Sequence, residues 1–256
     1  MLNVYQKLAV HLDRLPGGFP ATQDGIELKI LKKLFSTEEA RLATALTMMP
    51  ESIAVIAERV PTTPEALASI LDDMALKGLI FKIEKETPLY MAAQFVIGIW
   101  EYHVNDLDPE LIQLFNAYVP HLTKLWANQK TNQLRVIPIS ESLTAETRIM
   151  PYEAAEEIIR NQSKIVVAPC ICRKEHRMAG HGCDYPLEVC LVFGSGAFYY
   201  QKNGLGRPIE NDEALRILKK GMDAGLVLQP GNAKKAMNIC MCCGCCCQVL
   251  KNLKAL

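Results

Sequence analysis

Residues 238–247 read Asn-Ile-Cys-Met-Cys-Cys-Gly-Cys-Cys-Cys, which puts six cysteines, Cys240, Cys242, Cys243, Cys245, Cys246 and Cys247, within eight positions. Chance burial of small hydrophobic thiols does not crowd them this way. Disulfides between such near neighbours would be strained, which makes a thiol–disulfide relay the weakest reading. Within the run, Cys240, Cys243 and Cys246 show a C-x2-C-x2-C spacing, which lets one tight loop offer three soft thiolates to a single iron–sulfur cubane. Gly244 supplies the backbone freedom that such a loop needs. The usual following Cys-Pro is missing, because Leu250 stands there. A fourth ligand then comes from Cys242, Cys245, Cys247 or from further upstream.

Upstream lies a second group, Cys170, Cys172, Cys183 and Cys190, spaced C-x-C-x10-C-x6-C. Four thiolates form a self-sufficient set for one cluster, with Pro169 and Pro186 stiffening the approach and Gly180 and Gly182 permitting turns. Interleaved ligation, each cluster drawing on both groups, is the alternative. Ten cysteines suffice for two cubanes with two thiols to spare. Zinc is the main competitor: His176 and His181 lie within the upstream group, although C-x-C is not a usual zinc pair. The two histidines read better as surface groups or supports of the ligands than as ligands themselves.

Charge follows the same division. Residues 1–164 hold 16 Lys and Arg against 21 Asp and Glu, whereas residues 165–256 hold 12 against 7. The basic half is the cysteine half, where Arg173, Lys174 and Arg177 would offset an anionic thiolate cluster. Met1–Leu15 has charges inside its apolar run and does not read as a signal peptide. Leu89–Trp100, interrupted by Gln94, is too short for a membrane span. A cytoplasmic location is therefore expected, where clustered cysteines serve metal or redox chemistry rather than structural disulfides.

The first half reads as helices and a hairpin. Ser36 and Glu39 form a capping box, Ser52 caps a short helix, and Thr63 with Pro64 opens another that Gly78 ends. Leu79, Phe81 and Ile83 then alternate with charged residues, and Pro88–Met91 returns. That order, over residues 26–97, is the order of a winged helix. Its candidate recognition helix, Pro64–Leu76, carries Glu65, Asp72 and Asp73 and no Arg, Lys, Asn or Gln, which argues against DNA and for a partner-docking module. Further on, Asp108-Pro109 opens a helix, Leu134–Ile139 and Lys164–Ala168 read as strands, Pro151–Arg160 and Asn211–Gly221 as helices. Leu191–Phe193 and Ala197–Tyr200 read as strands around a Gly-Ser-Gly bend. There is no P-loop, dinucleotide fingerprint or H-E-x-x-H.

The stretches APCICRKEH…GCDYPLEVCLVFG, GRPIENDEALRILKKGMDAGLVLQP and NICMCCGCCCQVL resemble a family of 4Fe–4S proteins of anaerobes, a likeness spanning most of residues 26–250. Those proteins join a winged-helix-like N-terminal part to a Cys-rich part and a ferredoxin-type domain with two 4Fe–4S motifs. The resemblance implies cluster binding by Cys170, Cys172, Cys183, Cys190 and the cysteines of 240–247, and low-potential electron transfer. The ferredoxin-type domain has no counterpart in these 256 residues, so a separate ferredoxin or oxidoreductase is the expected redox partner.

The sequence thus predicts an α+β protein with a winged helix over residues 1–100 and a mixed α/β, Cys-rich metal-binding domain over 101–256. It would hold one or two iron–sulfur clusters, [4Fe–4S] in type. Electron transfer is the leading expectation. The alternatives are a cluster-dependent redox or metal-sensing regulator acting through the winged helix, a structural zinc-binding docking protein, and an enzyme with an open iron site.

Overall fold

The computed structural model describes residues 2–139 and 153–254. The chain divides into two compact units, residues 1–129 and 130–256.

The first unit is helical with a small hairpin. Helices α1 (Val4–Asp13), α2 (Ile26–Leu34), α3 (Thr37–Ala43), α4 (Ile53–Ala57) and α5 (Pro64–Leu76) lead into strands β1 (Ile80–Ile83) and β2 (Leu89–Ala92). The predicted capping signals act as read: Ser36 accepts from the Glu39 backbone N–H while Glu39 reaches back to Ser36, and Thr63 caps α5 with Pro64 in its first turn. Ser52 precedes α4 but its side chain makes no cap hydrogen bond. Glu39 has a second task that local sequence does not show, accepting from Lys77 Nζ at 2.7 Å at the far end of α5. The segment before α4 pairs with the hairpin: the backbones of Glu51 and Tyr90 exchange hydrogen bonds, and Ala92 N–H donates to Thr47 C=O.

After an irregular turn over Phe95–Ile99 come α6 (Trp100–Tyr102) and α7 (Pro109–Trp126), the latter capped by Asp108. The apolar stripe of α7 explains why this unit runs past the boundary at residue 100 expected from sequence. Phe115 stacks on Trp100 with ring centroids 3.6 Å apart, and Tyr118 meets Phe19 and Phe95. Aromatic stacking of this kind adds to the area buried, so α7 completes the core of the first unit.

The second unit is a five-stranded antiparallel sheet in the order β5-β3-β4-β7-β6, formed by β3 (Ile165–Pro169), β4 (Glu188–Phe193), β5 (Arg207–Ile209), β6 (Val227–Pro230) and β7 (Asn238–Cys242). Between these lie α8 (Ala155–Arg160), α9 (Ile171–Met178), α10 (Gly194–Lys202) and α11 (Asn211–Asp223), and α12 (Gln248–Lys254) follows β7. Strand alternation sends Ile165, Val167, Val189, Leu191, Phe193, Ile239 and Met241 to one face, where they pack with Ile158 and Ile159 of α8 and with Ala214 and Leu218 of α11. Contact between α11 and the sheet is close at Gly221, where a Cβ would fall 2.5 Å from Met241 Sδ.

Three readings are corrected here. Ala197–Tyr200 is not a strand but the middle of α10, which starts at Gly194 with φ of 56° and sets Gly196 against Val192. A short apolar run does not distinguish a strand from a buried helix. Leu134–Ile139 forms a single bridge, Leu134 with Gly231, and two further backbone hydrogen bonds to the β6 edge rather than a full strand. The helix expected from Pro151 is seen over Ala155–Arg160; residues 151 and 152 lie outside the described residues.

Gly206 holds β5 against β3, since a Cβ there would sit 2.5 Å from Val167 C=O and 2.7 Å from a Val166 methyl. The clash is with backbone and cannot be relieved by a rotamer change. Gly206→Ala is therefore expected to cost about 1–3 kcal/mol, read as a lower urea midpoint of the second unit; an unchanged midpoint would show that β5 can move aside.

Candidate metal centre

The ten cysteines meet at one end of the sheet because three chain segments pass there. Strand β3 leaves at Pro169 and passes directly to Cys170, which precedes α9. Strand β4 enters at Glu188, paired with Pro169. Strand β7 leaves at Cys242 into a turn that Cys247 N–H closes on Cys243 C=O at 3.1 Å. In the β4–β7 register Leu191 faces Ile239, so Cys190 comes opposite Cys240. Both lie on the face away from Leu191 and Ile239, as does Cys242.

The structure sorts the thiols across the two sequence groups. Cys183 joins Cys243, Cys245 and Cys246, with all four sulfurs within 4.8 Å of one another. Cys183 Sγ stands 3.5 Å from Cys246 Sγ and 3.9 Å from Cys243 Sγ, and Cys245 is 3.9 Å from Cys246. These four thiols could hold a metal ion.

The other six form a row. Hydrogen-bonding contacts link Cys170 to Cys172, Cys172 to Cys247, Cys247 to Cys242, Cys242 to Cys240 and Cys240 to Cys190. Cys183 of the upstream group is thus brought to Cys243, Cys245 and Cys246 of the downstream run. His176 and His181 stand outside both thiol sets. His176 Nε2 accepts from Lys251 Nζ at 2.6 Å, and its Nδ1 faces the buried Glu175 carboxylate at 2.7 Å.

Electrostatics follows from packing so many sulfurs together. From Cys170 to Cys240, thiols shifted down and thiols shifted up alternate along these contacts. Contact with Cys172 lowers Cys170. Cys190 and Cys242 hold Cys240 well below the usual thiol range, and Cys172 and Cys242 bring Cys247 down to about 3. Between them, Cys172 and Cys242 are pushed well up by their anionic neighbours. Nitrogen donors aim at two of the thiols shifted down. Asn238 Nδ2 lies 3.4 Å from Cys240 Sγ, and Gln229 Nε2 lies 3.9 Å from Cys247 Sγ. Backbone N–H groups of Arg173, Val249 and Leu250 support Cys170 and Cys247. In the compact set, burial raises Cys246 and Cys245, whereas at Cys243 burial is outweighed by Cys245 and Arg173, which bring it to about 6.

Arg173 serves both sets and is wholly buried. Its Nη1 donates to Pro186 C=O and its Nη2 to Met241 C=O, both at 2.7 Å. Burial opposes its charge, but Cys170 and Cys243 outweigh this and raise its pKa above the ordinary arginine value. Its Nε, also buried, has no partner. A buried cation, an unpaired N–H and a wall of thiolates make a donor set that fits a thiolate-bound metal centre. Sequence reasoning noted Arg173 only as nearby charge; its depth follows from α9 lying under the β7 exit, which no local spacing encodes.

No protein-family model, no curated protein and no solved structure matches this chain. Among the described residues no helix is long and apolar enough to cross a membrane. What fold and site define is therefore a class: an α+β protein with a cysteine cluster suited to a metal.

Proposed function

We propose that this protein is an iron–sulfur protein that passes electrons to or from a partner redox enzyme, with its cluster held by the cysteine end of the second unit. The observation that carries the reading is the row of six thiols. Six thiols are more than one ion needs, and N–H donors point at two of the sulfurs, the contacts through which proteins tune cluster potentials. When bound, such a cluster supplies one-electron chemistry. The chain's own part is to hold the thiolates, keep Arg173 as buried counter-charge, and direct Asn238 and Gln229 at Cys240 and Cys247.

The first unit reads as a winged helix that docks the partner. From residue 26, helices α2 and α3, a bridged segment, helices α4 and α5 and the β1–β2 hairpin follow in that order. Its α5 is acidic, and Asp72 is engaged by Tyr90 and Lys82, both at 2.6 Å. That leaves Glu65 and Asp73 as its outward charges, a surface that repels a duplex and counts against the regulator reading. The full chain is expected to leave a labelled duplex unshifted at physiological salt; a specific, salt-resistant shift would restore that reading.

Iron, acid-labile sulfide and zinc are to be measured on protein purified without oxygen, with an EPR spectrum after dithionite. Iron with matching sulfide and a reduced-cluster signal supports the proposal. Zinc with no sulfide would replace it with a structural docking protein.

A further inference from the structure

The spacing of the compact thiol set selects its occupant. A zinc ion takes four thiolates at about 2.3 Å, and a tetrahedron with that radius has edges of about 3.8 Å. The sulfur separations of 3.5, 3.9 and 3.9 Å among Cys183, Cys243, Cys245 and Cys246 match this edge, and all four sulfurs close within 4.8 Å. A cubane sets an iron between each thiolate and its centre, which spreads the four ligand sulfurs to roughly 6 Å or more. Among the described residues no other trio of metal-ligating side chains closes to the compact spacing; the six remaining thiols instead run in a row from Cys170 to Cys190.

We propose that the protein carries two unlike metal sites: a closed, mononuclear tetrahedral site at Cys183, Cys243, Cys245 and Cys246 that takes zinc, and a separate iron–sulfur site along Cys170, Cys172, Cys190, Cys240, Cys242 and Cys247. The second half rests on the functional reading above; the first does not. Four thiolates close the tetrahedron and leave no position for water or substrate, so the zinc is structural. It ties the Cys183 loop to the turn after β7. That turn runs from Cys242 to Cys247 of the row, so the ion fixes the frame on which these cluster ligands sit. Arg173 stands between the sites, in contact with Cys243 of one and beside Cys170 of the other.

The test is metal analysis with zinc-edge X-ray absorption on the full chain purified without oxygen, together with Cys245→Ser and Cys190→Ser. The expected wild-type result is one zinc with four sulfur neighbours at about 2.3 Å, and iron with sulfide besides. Cys245→Ser should lose zinc, or show three sulfurs around it, while keeping most of its iron. Cys190→Ser should lose iron and keep zinc. Iron and sulfide in both sites, with both variants losing iron and no zinc found, would overturn the two-site inference and leave the iron–sulfur reading standing. Zinc in the compact site with no iron or sulfide would leave the tetrahedral site standing and remove the functional reading. Because the absorption spectrum is read on the wild type, misfolding of a variant does not blunt the test.

Discussion

Arg173→Leu is expected to destabilise the second unit by about 3–5 kcal/mol and to lower its metal content, the largest effect of any single substitution outside the cysteines. The guanidinium is wholly buried and donates to two carbonyls, those of Pro186 and Met241, the second of these contacts being buried itself. Removing one partner of a buried charged set leaves the others desolvated without compensation, which is where losses of this size arise. The effect has a second part. Cys170 and Cys243 lose the cation that favours their anionic forms, so each thiolate a metal must find becomes harder to form. Arg173→Lys separates the two parts, because an ammonium restores charge but cannot span both carbonyls with a fixed fork. Metal content should recover more than stability does. Hydrogen exchange of the β4 and β7 amides reports stability locally, which matters in a chain with two units. Unchanged exchange and unchanged metal in Arg173→Leu would show that the guanidinium is a passenger.

Removing the metal should have the other large effect, confined to one unit. The aromatic core of the first unit, built from Phe19, Phe95, Trp100, Phe115 and Tyr118, contains none of the thiols. In the second unit Cys243 and Cys246 belong to the main core itself, and Cys170, Cys172 and Cys183 pack against it. A metal present at a hundred times its Kd stabilises the state that binds it by about 2.7 kcal/mol, or about a hundredfold in the open population. Chelator treatment of the full chain under reducing conditions should therefore raise proteolytic cleavage about a hundredfold around residues 170–190 and 230–250, and leave a fragment ending near residue 130. Cleavage spread evenly along both units would contradict this division.

The two units differ in how locally their structure is written in the sequence. In the first, the signals were local. Ser36 with Glu39, Thr63 with Pro64, Asp108 with Pro109 and Gly78 each act within one turn of the backbone, and each is found acting as read. In the second, the strands β3 and β4 were legible as apolar runs, but α10 was not, since Ala197–Tyr200 is apolar enough for either period. The cysteines were legible as a population that could bind metal, but not as the contacts they form. Their sorting depends on strand register, which places Cys190 opposite Cys240, and on the turn after Cys242, which sends Cys243, Cys245 and Cys246 toward Cys183. Cys242 and Cys243 are adjacent in sequence and serve different sets. No spacing rule separates neighbours; the end of a strand does.

Cys245 is the exposed thiol of the ten. Within the compact set Cys243 and Cys246 are buried and Cys183 is partly buried, so an incoming ligand reaches Cys245 most readily. Metal would leave or be exchanged there stepwise, through a three-coordinate state, at a rate set by the competing thiol or chelator rather than by opening of the fold. Oxidants meet the same sulfur first: a sulfenic acid at Cys245 is reversible and would loosen one corner of the tetrahedron while three remained. The exposure of this side chain thus makes it the first corner of the compact set to be lost.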